Sequence, residues 1–511
     1  MLIDLAGKSE LEFPQDKYDV AVAGSGPAGI SLALRLAESG KKVALLEAGG
    51  LQFTPQSQAV YQTAEGTDPY FSATRLRFFG GTSNHWAGRC REPEPVDFEE
   101  RPEAYEESGW PISFAEIKKY LAPAKAILDL ESKEFKEKEG TQDLIDSFYP
   151  DLELLSPPTR FGVKYLDTLQ SSELIDLYVN ANVVDIPLKE DLASIDSFAV
   201  KTFDNVSGNI QAKNYVIALG AVENARLLLN CDRQIDGGLG NGGGMLGTCF
   251  MDHVNVRLGK FIPDKDVWKD GISSMAYYTG DDFIRSAGIG ASNVTMGYTA
   301  KAESDGRGQA VKKFLVERAC NWGLEDQLSN VFQFVCPEEG RLSTLTEQDP
   351  HRKNRIYLSD EKDELGLRRV SVDWSLSDFD KKTIKAVAEE FAIQAHRGGV
   401  ARVKLPEFLF EEDVKLPFYG NGYLVNGHAH HMGATRMAES EKDGVVDPNC
   451  RVFGTNNLYV AGSSVFPRGG AHNPTMPLVQ LALRLADHLI DDGSLPDQEG
   501  LSAEQELLQE T

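Results

Sequence analysis

Apolar and polar positions in this chain follow three different rhythms. Near the start, "YDVAVAGSGPAGISLALRLAESGKKVALLEAGG" (residues 18–50) opens with a short apolar run, Val20 to Ala23, the pattern of a strand buried on both faces. A glycine-rich turn follows. Then Ile30, Leu32, Ala33, Leu34, Leu36 and Ala37 recur at helical spacing, and Gly40 stands where a helix stop belongs. Val43 to Leu46 read as a second strand, ending in Glu47. Such a βαβ opening predicts a parallel sheet. A later unit, "NYVIALGAVENARLLLN" (214–230), places a strand over Tyr215 to Leu219 and a helix after Gly220.

Between about 255 and 375 the rhythm shortens to alternation. "VRLGKFI", "SMAYYTG", "SNVTMGYTA", "NVFQFVC", "RIYLSD" and "LRRVSVDWSL" each read as strands of an antiparallel sheet with one wet or ligand-facing side. Helical spacing returns in "SDFDKKTIKAVAEEFAIQAHRGG", capped by Ser377 or Asp378, and in "NPTMPLVQLALRLADHLIDDG", where Leu478, Leu481, Leu485 and Leu489 share one side. The order is α/β, antiparallel sheet, α/β. The two ends are expected to co-fold as one Rossmann-like lobe, with the antiparallel sheet as an inserted α+β lobe.

Composition narrows the chemistry. The formal charge of −26 disfavours nucleic acid, anionic membranes and strongly anionic substrates. No apolar run reaches a membrane span, and the first residues carry no secretory pattern. Six scattered cysteines without a C-x-x-C fit a reducing compartment, so a cytoplasmic location is expected.

Gly24, Gly26 and Gly29 form G-x-G-x-x-G between strand and helix. The first permits the turn, the second admits a pyrophosphate to the helix N-terminus, and the third lets helix and strand pack closely. Glu47 is placed to bind ribose hydroxyls and to repel a 2′-phosphate. That unit alone does not separate NAD from FAD. A second feature is "NGHAHHMGATRM" (426–437), which holds three of the nine histidines, His428, His430 and His431. No fourth ligand lies near and the adjacent pair would point apart in a strand, so no metal is expected.

The set "GSGPAG" with Glu47, "FFGGTSNHWAG", "SGWPI", "VIALGAVENARLL", "HHMGATRM", "NLYVAGSSVFP" and "HNPT" resembles the glucose–methanol–choline (GMC) oxidoreductases, most closely the branch holding pyranose oxidase and bacterial sugar and polyol dehydrogenases. The resemblance covers most of the chain. It implies an FAD-binding domain from residues 1–100, 155–254 and 425–511, and a substrate-binding domain with cap segments from 101–154 and 255–424. It assigns the cofactor to Gly24, Gly26, Pro27, Ala28, Gly29, Glu47, Gly81, Thr82, Asn84, His85, Trp86, Val184, Ala218, Gly220, Gly462, Ser463, Asn473 and Thr475. His85 matches a histidine that is bonded to the flavin in pyranose oxidase, so the FAD is either covalent through His85 or held beside it without a bond.

The family motif H-x-x-G-T-x-R-M places the catalytic base at His430 when Gly433, Arg436 and Met437 are in register. A one-residue slip, favoured by Thr435, would nominate His431. The second catalytic residue falls on Asn473, with His472 beside it, unless Asn473–Pro474 is spent capping the last helix. Gln333 and His431 are the expected substrate contacts. The implied reaction is oxidation of an alcohol group of a sugar, glycoside or polyol by hydride transfer to flavin N5, with a histidine taking the hydroxyl proton. The electron acceptor stays open among oxygen, a quinone and a redox protein. Two other readings remain: a flavoprotein subunit that needs a protein acceptor, and a non-redox lyase on the same fold.

Overall fold

The computed structural model describes residues 1–491, except 103–104, 106–108, 134–146, 151–153, 265–266, 269–273, 412–424 and all of 299–338 but 315 and 318. The strand expected at "NVFQFVC", with Gln333, lies outside the described residues.

Six parallel strands form the first sheet, in the order Leu2–Asp4, Ile175–Val179, Val43–Leu46, Tyr18–Ala23, Ala212–Ile217 and Leu458–Val460. The apolar run that opens the chain's first motif is its centre: Val20 to Ala23 are buried on both faces. The helix Pro27–Glu38 buries Ile30, Leu32, Ala33 and Leu36, and the last helix, Thr475–Asp491, packs against it. One hydrophobic core joins residues from both ends of the chain, Val22 and Leu45 with Val460 and Leu485.

The second sheet is antiparallel. Its order is Ala401–Lys404, Val254–Pro263, Gly340–Thr346, Ser292–Tyr298, Ser274–Thr279 and Phe148–Pro150, with Val425–Gly427 also paired to Val254–Pro263. It has its own core against the helix Asp378–Arg397, where Leu258, Val294 and Leu342 meet Ile384, Val387 and Phe391. That helix starts with a capping box in which Ser377, rather than Asp378, is the cap.

Two of the alternating segments belong elsewhere. Arg355–Lys362 and Arg368–Asp373 pair only with each other. Their apolar residues, Ile356 and Val370, pack with Val222 and Ala225 of the helix Ala221–Asn230. Alternation reports that one face is buried, not what covers it. The central strand Gly340–Thr346 was not expected. Its inward residues include Thr344 and Thr346, whose hydroxyls donate to strand carbonyls, so its apolar pattern is faint. Among the described residues, no helix is long and apolar enough to cross a membrane.

Candidate active site

The C-terminal ends of the parallel strands open into a cavity of about 510 Å³, where open α/β sheets bind their ligands. Its wall includes Gly24, Gly26, Pro27, Ala28 and Glu47 from the first motif, Gly81, Thr82, His85 and Trp86 from the second, and Ala218 and Gly220 from the third. Gly462, Ser463, Asn473 and Thr475 complete it from the far end of the chain.

Each glycine of the first turn has a local reason. A Cβ on Gly26 would meet no atom within 4 Å and would project into the open cavity, into the space a pyrophosphate needs. A Cβ on Gly29 would stand 1.9 Å from the Gly24 carbonyl oxygen, so Gly29 sits behind the turn and sets the helix against it. Glu47 is 5% exposed. Its Oε2 accepts the Ser25 hydroxyl and backbone N–H, and its Oε1 accepts the Gly49 N–H at 2.7 Å. The carboxylate thus ties the first turn to the end of the second strand.

Three predicted residues are placed differently. Asn84 is not on the wall: its amide donates to the Phe79 and Gly81 carbonyls at 3.0 and 2.9 Å and fixes the turn that presents its neighbours. Val184 is also off the wall. It lies where the strand Asn182–Asp185 shifts register against its neighbour, between Val183 and Asp185. His472 turns away from the main cavity, with its Nδ1 3.4 Å from the Asp97 carboxylate. The last helix begins one residue later than expected. The Pro474 carbonyl accepts the Leu478 N–H, which makes Pro474 the cap residue.

The histidine stretch owes its shape to strand pairing. Val254 pairs with Gly427, and Met251 bridges to Met432. Two residues on one side therefore face four on the other, and the surplus bulges with Ala429 at φ +58°. The bulge exposes backbone donors, and the buried Asp252 and the half-buried Tyr70 collect them. Asp252 Oδ1 accepts the N–H groups of His428 and His430 at 3.0 and 2.9 Å. The Tyr70 hydroxyl donates to Asp252 Oδ2 at 2.6 Å and accepts the Ala429 N–H. Asp252 is fully buried, and that burial raises its carboxyl to about 6 against the pull of these hydrogen bonds.

His253, next along the chain, sets the state of His430. Its Nε2 lies 2.8 Å from the Gly470 carbonyl, which can only accept, so Nε2 carries the proton. Burial, and then the neighbouring His472, push His253 down to about 3, so the ring is neutral and its Nδ1 is bare. The Nδ1 of His430 lies 2.8 Å from that bare nitrogen and donates to it. His430 is itself held neutral, since burial and then His253 keep it well below the usual histidine range. Its Nε2 is left as an unprotonated acceptor on a residue that lines the cavity.

His431 has a different setting. Its ring packs among Tyr70, Phe71 and Phe250. Its Nε2 has no hydrogen-bond partner among the described residues and lies 3.8 Å from Asp252 Oδ2. Burial pushes it down to about 3. Sequence reasoning missed His253, Asp252, Tyr70, and also Arg75 and Tyr61, whose guanidinium and ring stack at 4.4 Å on the cavity wall.

The family model described as GMC oxidoreductase matches residues 350–482, and the one described as pyridine nucleotide-disulphide oxidoreductase matches residues 18–249. Residues 350–482 thus carry a GMC oxidoreductase domain. It is 24% identical to 2-methyl-1,2-propanediol dehydrogenase of Mycolicibacterium austroafricanum, over 93% of this chain and 95% of that protein. It is 24% identical to the fructose dehydrogenase large subunit of Gluconobacter japonicus, over 57% of this chain and 49% of that one. The fold is similar to that of pyridoxine 4-oxidase from Mesorbium loti, with a TM-score of 0.57 and 17% identity over 92% of this chain and 99% of that one. The cofactor is FAD. The open space over Gly26 and the run of wall residues from Glu47 to Asn473 fit a dinucleotide laid across the strand ends.

Proposed function

We propose that this enzyme oxidises an alcohol group of a sugar, glycoside or polyol to a carbonyl, with His430 as the base. The relatives named above support the substrate class. The observation that carries the proposal is the His253–His430 contact at 2.8 Å, which leaves Nε2 as the bare nitrogen of His430, a residue on the wall of the cofactor cavity. A positioned neutral imidazole takes the hydroxyl proton as the C–H bond is broken. When bound, FAD supplies the hydride acceptor.

The chain's other groups prepare this step. Asp252 and Tyr70 hold the backbone of residues 428–430, which fixes where the His430 ring stands. Asn473 is the second polar side chain at the reacting end, ahead of His472, which faces Asp97. The helix Thr475–Asp491 presents its N-terminus to the cavity, where aligned peptides carry roughly half a positive charge that favours the anionic reduced cofactor. Residues 101–154 and 255–424 are the substrate-binding domain and cap segments in this reading, with Gln333 and His431 as further contacts. His85 stands on the wall, and burial lowers its pKa. Acid precipitation distinguishes its two roles, since the yellow colour leaves with the supernatant if the flavin is not bonded to it.

The test is the visible spectrum of the purified, FAD-loaded protein, titrated without oxygen against a panel of sugars and polyols. Bleaching of the flavin is the expected result. Turnover without bleaching would mean a non-redox reaction and would end this reading. One relative is named as the large subunit of its enzyme, which favours a variant of the proposal in which a redox protein takes the electrons. In that case the bleached flavin stays reduced in air until such an acceptor is added.

A further inference from the structure

The proposed base uses one of the three clustered histidines, and His431 is enclosed by aromatic rings. His428 remains. It lines the same cavity as His430, and the two rings lie 4.9 Å apart between centroids, at 69°. One contact favours the opposite tautomer for it. Asn255 lies on the strand Val254–Pro263, and the neighbours Val254 and Val256 point into the core of the antiparallel sheet. Asn255 therefore projects from the other face, and its amide nitrogen comes 3.4 Å from His428 Nδ1. An amide nitrogen only donates, so His428 Nδ1 accepts. Burial, and then the Arg89 guanidinium, hold His428 below the usual histidine range, so the ring is neutral with its one proton on Nε2.

Two residues of the cavity wall thus carry a matched pair, an unprotonated Nε2 on His430 and a protonated Nε2 on His428. A hydrogen bond spans about 3 Å. Rings this close serve two oxygens on adjacent carbons. One hydroxyl delivers its proton to His430, and the oxygen of its neighbour accepts from His428. A lone alcohol leaves the His428 donor without a substrate partner. We propose that His428 makes this site selective for vicinal diols, the arrangement found in 1,2-diols and in pyranose rings, by binding the hydroxyl next to the one oxidised. This inference rests on His430 being the base.

The test compares reduction of the FAD-loaded full chain, without oxygen, by matched pairs: 1,2-propanediol with 1-propanol, and methyl glucopyranosides with their deoxy analogues lacking one neighbouring hydroxyl. The quantity read is the ratio of second-order rate constants within each pair. The wild type is expected to favour the diol by about 10-fold or more, the scale of one hydrogen bond to a partly enclosed donor. His428→Phe is expected to bring that ratio to within about 2-fold of one. His428→Gln, whose amide can still donate, is expected to restore part of it. Bound-flavin absorbance shows that each variant is loaded. A wild type without preference, or a ratio unchanged in both variants, overturns the role of His428 while leaving the base intact. Should His428→Phe fail to fold, the wild-type ratio and His428→Gln decide alone. Failure of every diol and sugar to reduce the wild-type flavin overturns the alcohol-oxidation reading as well.

Discussion

His253 and His430 meet Nδ1 to Nδ1 at 2.8 Å, across 177 residues of chain. Because the Gly470 carbonyl takes the only proton of His253, this contact has one direction, and it decides which nitrogen of His430 is free for chemistry.

Replacing His253 with Phe removes the acceptor and frees His430 to adopt either tautomer. Flavin reduction is expected to slow by about 10- to 100-fold, the usual scale for a residue that orients a working group. Bound FAD is expected to remain. The pH profile of reduction separates this role from a purely structural one. Without that acceptor the His430 imidazolium loses a hydrogen-bond partner, so the acid limb of the profile moves further toward acid pH.

The clamp on residues 428–430 predicts a cost in stability. Tyr70→Phe strands the Ala429 N–H and removes a donor to the buried Asp252 carboxylate. A loss of about 1–3 kcal/mol is expected in denaturant titration. Asp252→Asn keeps the shape but halves the acceptors, and a cost at the upper end of that range is expected, with slower flavin reduction because the His430 backbone is no longer held.

His431 predicts a pH dependence of folding. Its folded pKa is depressed to about 3, whereas the unfolded ring titrates near the usual value of about 6.5. Above that value both states are neutral, and the fold keeps its full stability. As pH falls below it, the unfolded chain gains a proton that the aromatic enclosure refuses, and stability drops toward the folded pKa. The linked loss is about 2 kcal/mol at pH 5. His253 acts in the same sense, and Asp252, raised to about 6, opposes them. In His431→Phe, the difference in unfolding midpoint between pH 7.5 and pH 5 is expected to shrink.

Glu47 links two strand ends through Ser25 and Gly49. Glu47→Ala is expected to weaken FAD binding by about 10- to 100-fold, since hydrogen bonds to a charged group are the strong ones. Fluorescence of released FAD on dilution measures it.

These residues also show what was readable in advance. The turn from Gly24 to Glu47 was legible because its parts lie within one βαβ unit, where spacing alone fixes geometry. His430 was nominated by its motif, and the cavity wall includes it. Its partners were not. Asp252 and His253 sit in "FMDHVNV", a segment with no pattern of its own, and their meaning arises only when Val254 pairs with Gly427. Tyr70 is more remote still, reaching Asp252 across 182 residues. Asn84 and Val184 show a related point. Membership of a motif does not say which way a side chain points, and here one supports the turn and the other lies off the wall. The strand Gly340–Thr346 escaped notice because buried threonines hide the apolar rhythm, and Arg355–Asp373 was misassigned because alternation does not name the partner face.

The central claim is that His430 accepts the substrate's proton. Anaerobic stopped-flow reduction of FAD-loaded His430→Gln, beside wild type and His431→Gln, tests it most directly. The account predicts that His430→Gln binds FAD and folds but is reduced by its alcohol substrate about 10²- to 10⁴-fold more slowly, while His431→Gln changes far less. Reduction of His430→Gln at the wild-type rate, with His431→Gln slowed instead, would contradict it.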